Sequence, residues 1–470
     1  MPRVRVFAPI VVGALMMAAA VFMTLQPVAR GGGHHGGPPS WWKPPADVRA
    51  MLGDISATRL EGYDRALAGF GTRHTLSAQD DPNRGIGAAR DWIKGQFDQI
   101  AATSDGRMTT ELQSFVQPVS SRIPVPTRIT NVIATLHGTD PTSSDRVYVV
   151  SGHYDSRRTD VLDGTGDAPG ANDDASGVSA VIELARVMAK HPTDSTIVFA
   201  AFAGEEQGLY GSDHFAQVAK DAGWNIQGNL NMDIIGSSVG GNGVRDPHTI
   251  RLFSEGVPSA ATAADLSRLI SNGGENDSAA RQLARYVGET GSNSATDMHV
   301  KLVWRRDRFL RGGDQISFLQ RGWPAVRFTE PNENFDHQHQ DVRVENGTQF
   351  GDLVQFVDFP FLQRVTRVVG SSLAALERSP RAPTNARIIS ANLSYDTELR
   401  WNADPESDVV GYEIVWRDSK DPLWTHSRFV GNVTDYMVKS LNKDDNQVGV
   451  RAIDRDGNRS PVAYPIPATS

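Results

Sequence analysis

Continuous apolar runs alternate with helically spaced apolar residues through the middle of the chain. The run Val147–Val150 in "RVYVVSGHYDS" predicts a strand buried on both faces, as do "STIVFAAFAGEE" and the shorter "GNLNMDIIG" and "PAVRFTE". Between the first two lies "ASGVSAVIELARVMAK", whose apolar spacing predicts a helix that ends at His191 and Pro192. Strands that alternate with helices predict an α/β fold with a mostly parallel sheet sandwiched by helices.

Acidic residues and histidines follow these predicted strands at the point where each one ends. They are His153 and Asp155, then Glu205 and Glu206, then Asp233, and finally the segment "NFDHQHQD". The carboxyl ends of parallel strands meet at one edge of a sheet, so we expect these side chains to converge. Adjacent carboxylates such as Glu205 and Glu206 repel unless a cation lies between them or each has a separate role. The pattern therefore predicts a metal site.

The segment "PGANDDASG" places Asp173 and Asp174 directly before the predicted helix. An ordinary helix N-cap would explain this pair, because carboxylates are stabilised at the positive end of a helix. The neighbouring acidic strand ends favour a role in the metal site instead. The chain has no cysteine, so a metal must be held by His, Asp and Glu.

Five motifs in order carry a resemblance to a known family: "SGHYDS", "PGANDDASG", "FAGEEQGLYGS", "NLNMDIIG" and the late histidine segment. Together, over about Thr127 to Gly351, they resemble the di-zinc exopeptidases that include secreted bacterial leucyl and aminoacyl aminopeptidases. The resemblance implies two Zn²⁺ per chain, with one carboxylate bridging both ions. The implied metal ligands are His153, Asp173, Glu206, Asp233 and a late histidine. Glu205 is left as the general base that takes a proton from the attacking water.

The late histidine has two candidates, because "DHQHQD" contains His337 and His339. The family pattern resembles a histidine followed four residues later by an acid, which matches His337 with Asp341. His337 is therefore the predicted ligand, and His339 is expected beside it or at the surface. Asp336 departs from the aromatic residue usually found before this histidine.

Further residues are expected to orient the metal ligands. Asp155 is expected to accept the ring N–H of His153, and Asp314 in "RGGDQISF" resembles the acid that orients the late histidine. The resemblance also implies a cis peptide bond between Asp173 and Asp174.

Several functions remain open on this scaffold. An aminopeptidase acting on peptide substrates is the first prediction, and a carboxypeptidase or glutaminyl cyclase-like acyl transferase is the alternative. A carboxypeptidase needs a cation for the substrate carboxylate, and the sequence does not show whether Arg305, Arg306 or Arg311 enters the pocket. A non-catalytic binding protein would require a missing ligand or base, and none is missing.

The N-terminal region predicts export. Arg3 and Arg5 precede about twenty uncharged residues, so residues 1–30 are predicted as a signal peptide or membrane anchor. Cleavage at the small-residue run Ala18–Ala20 would release a periplasmic or secreted protein, and retention would tether it to a membrane. Residues 31–45 are Gly/Pro-rich and predict a linker, followed by the catalytic region 46–378.

The remaining segments add a second domain and exclude one class of partner. Residues 384–470 contain short alternating strands and predict a small all-β sandwich that resembles a fibronectin type III module, a candidate surface for protein or carbohydrate. Residues 236–300 lack a clear motif and are expected to border the site as a mobile wall. The net charge of −8 argues against nucleic acid as a partner.

Overall fold

The computed structural model describes residues 41–391 and 393–468. The predicted export segment 1–30 and most of the predicted linker lie outside these residues. Among the helices described, none has the length and apolar character needed to cross a bilayer.

Ten α-helices and seventeen strands are found in the described residues. The helices are α1 (Ala46–Asp54), α2 (Ala57–Gly69), α3 (Ile86–Ala101), α4 (Ser176–Met188), α5 (Glu205–Gly208), α6 (Tyr210–Asp221), α7 (Ala263–Asn272), α8 (Ala279–Gly291), α9 (Gln315–Leu319) and α10 (Phe359–Arg378). The first ten strands are β1 (Met108–Gln117), β2 (Thr127–Leu136), β3 (Arg146–His153), β4 (Thr196–Phe202), β5 (Asn225–Met232), β6 (Thr249–Phe253), β7 (His299–Val303), β8 (Ala325–Thr329), β9 (Arg343–Glu345) and β10 (Thr348–Phe350). The last seven are β11 (Arg387–Ile389), β12 (Thr397–Arg400), β13 (Val409–Asp418), β14 (His426–Gly431), β15 (Asp435–Val438), β16 (Asn446–Asp454) and β17 (Ile466–Ala468).

An eight-stranded sheet in the order β1-β2-β4-β3-β5-β8-β6-β7 organises the first part of the chain. Its four central strands, β4, β3, β5 and β8, are parallel to one another, and the antiparallel pairings lie toward the edges. The four strands predicted from continuous apolar runs are these four. The prediction of a mostly parallel sheet in an α/β fold is confirmed.

Helices cover both faces of the sheet. Successive side chains along a strand point to opposite faces, so each central strand contributes to two cores. On β3, Tyr148 and Val150 join a core that includes side chains of α2, α4, α8 and α10. Val147 and Val149 join a second core built with Phe215 of α6 and residues of α9. All eight residues of β3 are buried, which explains why its sequence is a continuous apolar run rather than an alternation.

Residues 236–300 do not form the mobile wall expected from the sequence. They contribute β6 and β7 to the sheet, together with α7 and α8. Helix α8 is amphipathic, and its buried residues Leu283, Ala284 and Val287 belong to the main core. This segment therefore completes the α/β layer.

The C-terminal strands form a four-stranded sheet, β15-β12-β11-β17, and a three-stranded sheet, β14-β13-β16. Leu399 and Trp401 from the first sheet region share one core with Tyr412, Ile414 and Val450 of the second. The expected burial of Trp401 and Tyr412 in a small β core is observed.

The end of the predicted linker is packed rather than free. Trp42 is 5% exposed, lies in the main core, and donates from Nε1 to the Ser371 hydroxyl at 3.2 Å. Trp41 packs edge-on against Tyr286 of α8. The two tryptophans in "PSWWKPP" therefore fasten the start of the described chain to the α/β layer.

Candidate metal centre

The candidate site lies at the carboxyl ends of the four central parallel strands. His153 is the last residue of β3, Asp233 directly follows β5, and Glu205 and Glu206 form the first turn of α5 after β4. Asp173 lies in an irregular turn, residues 171–175, before α4. The convergence expected from the strand ends is thus observed, at the edge of the sheet where α/β proteins bind ligands.

Two groups of potential metal ligands share Asp173. One group is His153, Asp173 and Asp233, and the other is Asp173, Glu206 and His339. Asp173 Oδ1 lies 3.2 Å from His153 Nε2, while Asp173 Oδ2 lies 2.8 Å from His339 Nε2. One carboxylate therefore faces two histidines with its two different oxygens, which is the arrangement expected of a bridging ligand.

His339, and not His337, completes the second group, so the choice made from the sequence is wrong. His339 Nε2 lies 3.0 Å from Glu206 Oε1 as well as close to Asp173. The ring of His337 is instead stacked on Phe356 at a centroid distance of 3.6 Å. Asp341, expected four residues after the ligand, forms an ion pair with Arg158 at 2.7 Å.

Charges around the second group fit a bound cation. Burial opposes a charge on His339, but the carboxylates of Glu206 and Asp173 outweigh it and raise the pKa of His339 to about 9. Glu206 Oε1 is buried, and its close polar neighbour in the described chain is His339 Nε2 at 3.0 Å. Two carboxylates that face one histidine at a buried position need a positive charge between them, and a metal ion would supply it.

Asp155 has a different contact with His153 from the one predicted. The ring Nδ1 of His153 lies 3.1 Å from the backbone carbonyl oxygen of Asp155 and 3.6 Å from its carboxylate. The carboxylate of Asp155 accepts the backbone N–H groups of Glu205 and Glu206, both at 3.2 Å. Asp155 therefore orients the histidine through its main chain and fixes both glutamates through its side chain.

Asp314 does not contact the late histidines. No hydrogen bond joins it to His337 or His339 among the described residues, and its charged neighbours include His153, Asp155 and Asp233. Burial raises the pKa of Asp314 to about 7. The structure thus places this acid on the His153 side of the site.

Glu205 lies beside both groups without belonging to either. Gly204, at φ 76°, turns the chain out of β4 so that Glu205 starts α5 at the strand end. Burial raises the pKa of Glu205 well above its usual value, and the nearby carboxylates of Asp233 and Glu206 add to this effect. A carboxylate with a raised pKa is suited to exchange protons near neutral pH.

Asp174 connects the turn to the strands that carry the ligands. The bond between Asp173 and Asp174 is cis, as the family resemblance implied. Asp174 accepts the N–H of His153 at 3.0 Å with one carboxylate oxygen, and the N–H groups of Gly177 and Ile234 with the other. Its side chain therefore links the ends of β3 and β5 to the start of α4.

Sequence reasoning did not identify Arg327 as part of the site. This arginine is 1% exposed and forms ion pairs with Asp233 at 2.7 Å and with Asp307 at 3.1 Å. Burial raises the pKa of Asp233, but Arg327 and His153 more than offset it and lower the pKa overall. The signal in the sequence is a charged residue in the middle of the apolar strand "PAVRFTE".

Comparison with known proteins identifies the family of the chain. Residues 131–348 match the profile of peptidase family M28. A probable zinc metalloprotease of Pyrenophora teres f. teres is 51% identical over 429 residues, which cover 91% of this chain and 88% of the relative. One of Leptosphaeria maculans is 50% identical, with 90% and 98% covered. The Legionella pneumophila LapA aminopeptidase structure is 19% identical, covers 71% of this chain and 76% of its own, and has a TM-score of 0.49. The matched profile and the extent of these sequence relationships show that the chain belongs to peptidase family M28.

Proposed function

We propose that the protein is a zinc-dependent exopeptidase that removes N-terminal residues from peptides, which makes it an aminopeptidase. The observation that carries the proposal is the position of Asp173, whose two oxygens face His153 and His339 at 3.2 and 2.8 Å, with Glu205 beside them. Membership of a peptidase family and the names of the curated relatives support it.

Two zinc ions fit the residues that are present. His153, Asp173 and Asp233 would hold one ion, and Asp173, Glu206 and His339 the other. Histidine and carboxylate donors without cysteine suit catalytic zinc, and three protein ligands leave a coordination position open. When bound, zinc polarises a peptide carbonyl and lowers the pKa of water.

The residues of the chain divide the remaining work. Glu205 accepts a proton from the attacking water and then donates it to the leaving amine of the peptide. Asp155 holds the backbone of Glu205 and Glu206, so the base keeps its position relative to the ligands. Arg327 fixes Asp233, because its almost fully buried guanidinium pairs with both Asp233 and Asp307.

The pocket in front of these residues favours the end of a peptide. Its volume is about 330 Å³, at the small end of ligand pockets, which suits a terminal residue better than an extended segment. A carboxypeptidase is the second candidate, because Arg311 lines this pocket, whereas Arg305 and Arg306 are exposed outside it.

Replacing the proposed general base tests the mechanism. We expect Glu205→Gln to keep its metal content and lose about 10²–10⁴-fold in kcat, because the amide preserves shape and does not accept a proton. Elemental analysis and turnover are measured on the same preparation, with the exposed Glu111→Gln as control. Turnover by Glu205→Gln close to that of the control would contradict the assignment.

Metal content and substrate choice test the rest of the proposal. The purified enzyme is expected to hold about two zinc ions and to lose activity with a chelator. Hydrolysis of aminoacyl substrates but not of N-blocked peptides would support the aminopeptidase, and the reverse the carboxypeptidase. One tightly held metal and cyclisation of N-terminal glutamine would contradict both.

A further inference from the structure

The pocket beside the proposed metal ligands has an arginine-rich wall. The arginines that line it are Arg122, Arg157, Arg308, Arg311 and Arg327. The acidic side chains lining it are Asp173, Glu205, Glu206 and Asp233, all of which are proposed metal ligands or the base. Once metal is bound, the described lining of the pocket therefore offers these arginines no other carboxylate to pair with.

Neighbouring acids outside the lining only partly neutralise this wall. Glu333 is shared by three guanidinium groups, those of Arg251 at 2.8 Å, Arg308 at 2.9 Å and Arg311 at 3.0 Å. Asp307 is likewise shared by Arg308 and Arg327, both at 3.1 Å. The arginines on this side outnumber their counter-charges, so the wall carries a net positive charge.

Arg157, which also lines the pocket, lacks a close partner in the described part of the chain. Its nearest ion-pair contact is Glu206 Oε2 at 3.9 Å, and its buried Nε has no hydrogen-bond partner in the described part of the chain. Its side chain is 17% exposed and lines the pocket. Because Glu206 is a proposed metal ligand, bound metal would draw its charge away from Arg157.

Arg311 also lies close to the proposed metal ligands. Its Nη1 donates to Gln338 Oε1 at 3.2 Å, and Gln338 Nε2 donates to Asp173 Oδ2 at 3.1 Å. Arg311 is thus one side chain away from the bridging carboxylate, and it is 27% exposed. Arg157 and Arg311 therefore both line the pocket next to proposed metal ligands, Arg157 beside Glu206 and Arg311 beside Asp173 through Gln338.

We propose that Arg157 and Arg311, supported by Arg308, bind a carboxylate of the peptide substrate next to the scissile bond. The proposal rests on the exopeptidase function and names its substrate class. Guanidinium groups pair with carboxylates through two parallel hydrogen bonds, and partial burial strengthens such pairs. The carboxylate belongs either to an acidic side chain of the terminal residue or to the C-terminus of the peptide. Both sources offer the same group to the same wall.

Two pairs of substrates separate these sources. The first pair is a peptide amide with N-terminal glutamate and the same peptide with glutamine. The second is an N-acetylated dipeptide with a free C-terminus and its C-terminal amide. We expect the carboxylate member of one pair to have a kcat/KM at least about tenfold higher, as for hydrogen bonds to charged groups. The pair that shows this preference identifies the source.

Arginine variants test whether the preference for carboxylate substrates depends on the arginine-rich wall of the pocket. Arg157→Gln and Arg311→Gln are expected to reduce it about tenfold each. Arg306→Gln is the matched control, because Arg306 belongs to the same loop as Arg311 but is exposed outside the pocket lining. It should leave the preference unchanged. Hydrolysis of uncharged peptides with no preference in either pair would overturn the carboxylate proposal and leave the exopeptidase function intact.

A binding measurement provides a readout that does not depend on turnover. Zinc-loaded Glu205→Gln is titrated calorimetrically with glutarate and with glutaramide, alone and combined with each arginine variant. Weaker glutarate binding in the Arg157 and Arg311 variants, but not in the Arg306 variant, supports the proposal. Equal glutarate binding by all variants contradicts it. If no peptide is hydrolysed at all, the exopeptidase function fails, while this titration still decides whether the wall binds a carboxylate.

Discussion

Asp173 is the residue on which the geometry of the site depends. Its oxygens face His153 and His339 from opposite sides, and the side chain is only 6% exposed. Burial opposes its ionisation, yet the two histidines lower the pKa of Asp173 well below its usual value. The two histidines therefore favour the ionised carboxylate, which is the form that binds a cation.

The two late histidines provide a matched pair for testing the second metal position. We expect His339→Ala to reduce the metal content from about two ions to about one, because it removes one of three protein ligands to that ion. His337→Ala should keep both ions, since His337 packs on Phe356 and belongs to neither ligand group found among the described residues. Elemental analysis after dialysis, with turnover on the same samples, measures both effects. Equal metal loss in the two variants would contradict the assignment of His339.

The error over this histidine has a physical cause. "DHQHQD" lies in an irregular loop after β8, where no helical or strand periodicity fixes the direction of a side chain. His339 has a φ of 57°, a conformation that residues other than glycine adopt rarely. The other residues of the site follow directly from strand ends or a helix start, so the topology alone places them. His339 needed the structure.

Among the strands, burial decides which ones could be predicted from the sequence. The central strands β3, β4 and β8 are fully buried and mostly apolar, so they are easy to recognise, whereas β5 buries Asn229 and Asn231 among its apolar residues. Half of the residues of β1, at the sheet edge, are exposed, and its sequence resembles a polar segment. β6 and β7 have only five residues each and contain charged positions. The edges of the sheet are therefore weakly marked in the sequence.

Contacts that hold the metal-binding turn come from elements distant in sequence. Arg73 is fully buried and donates to the carbonyl oxygens of Tyr154 at 2.7 Å and Gly170 at 2.9 Å. Asp352 accepts the N–H groups of Asn172 at 2.9 Å and Asp173 at 2.7 Å. No local pattern reveals such pairings, because Asp352 lies 179 positions after Asp173.

Asp352 is accordingly expected to influence metal binding without touching the metal. Asp352→Asn should weaken metal affinity about 10–100-fold, since it replaces a carboxylate that accepts both backbone N–H groups of the turn. The exposed Asp336→Asn is the control, and it should bind metal normally. Metal titrations with a competing chelator give the affinities, and circular dichroism verifies the fold. An unchanged affinity in Asp352→Asn would show that the turn keeps its position without this residue.

Across the whole molecule, α8 joins the α/β layer to the C-terminal sheets. One face of this helix belongs to the main core, while Arg285 on the helix donates to the Pro422 carbonyl oxygen at 2.7 Å. Glu289, near the helix end, pairs with Arg451 of β16 at 3.1 Å. The β-sheets are thus held by a structural element of the catalytic layer, and their stability should be linked to it.

Replacing Asp277, which lies just before this helix, tests whether the stability of the C-terminal sheets depends on the α/β layer. Its side chain is fully buried and pairs with Arg285 at 3.1 Å and with Arg417 of β13 at 2.6 Å. Asp277→Ala leaves two buried guanidinium groups without their counter-charge, so we expect unfolding free energy to fall by about 3–5 kcal/mol. Urea unfolding at equal zinc content measures the loss. Lys420→Ala, which removes an exposed pair with Asp418 in the same sheet region, should cause no measurable change.

The form of the transition adds a second criterion to this experiment. If α8 couples the two parts, tryptophan fluorescence should change in one transition that coincides with the loss of catalytic activity, because six of the nine tryptophans lie before residue 384 and three lie after it. In Asp277→Ala the two signals should separate, with the C-terminal sheets losing structure first. A loss of stability no larger than that of the control, or separate transitions already in the unmodified protein, would mean that the sheets fold as an independent unit and that the Asp277 contacts only orient them.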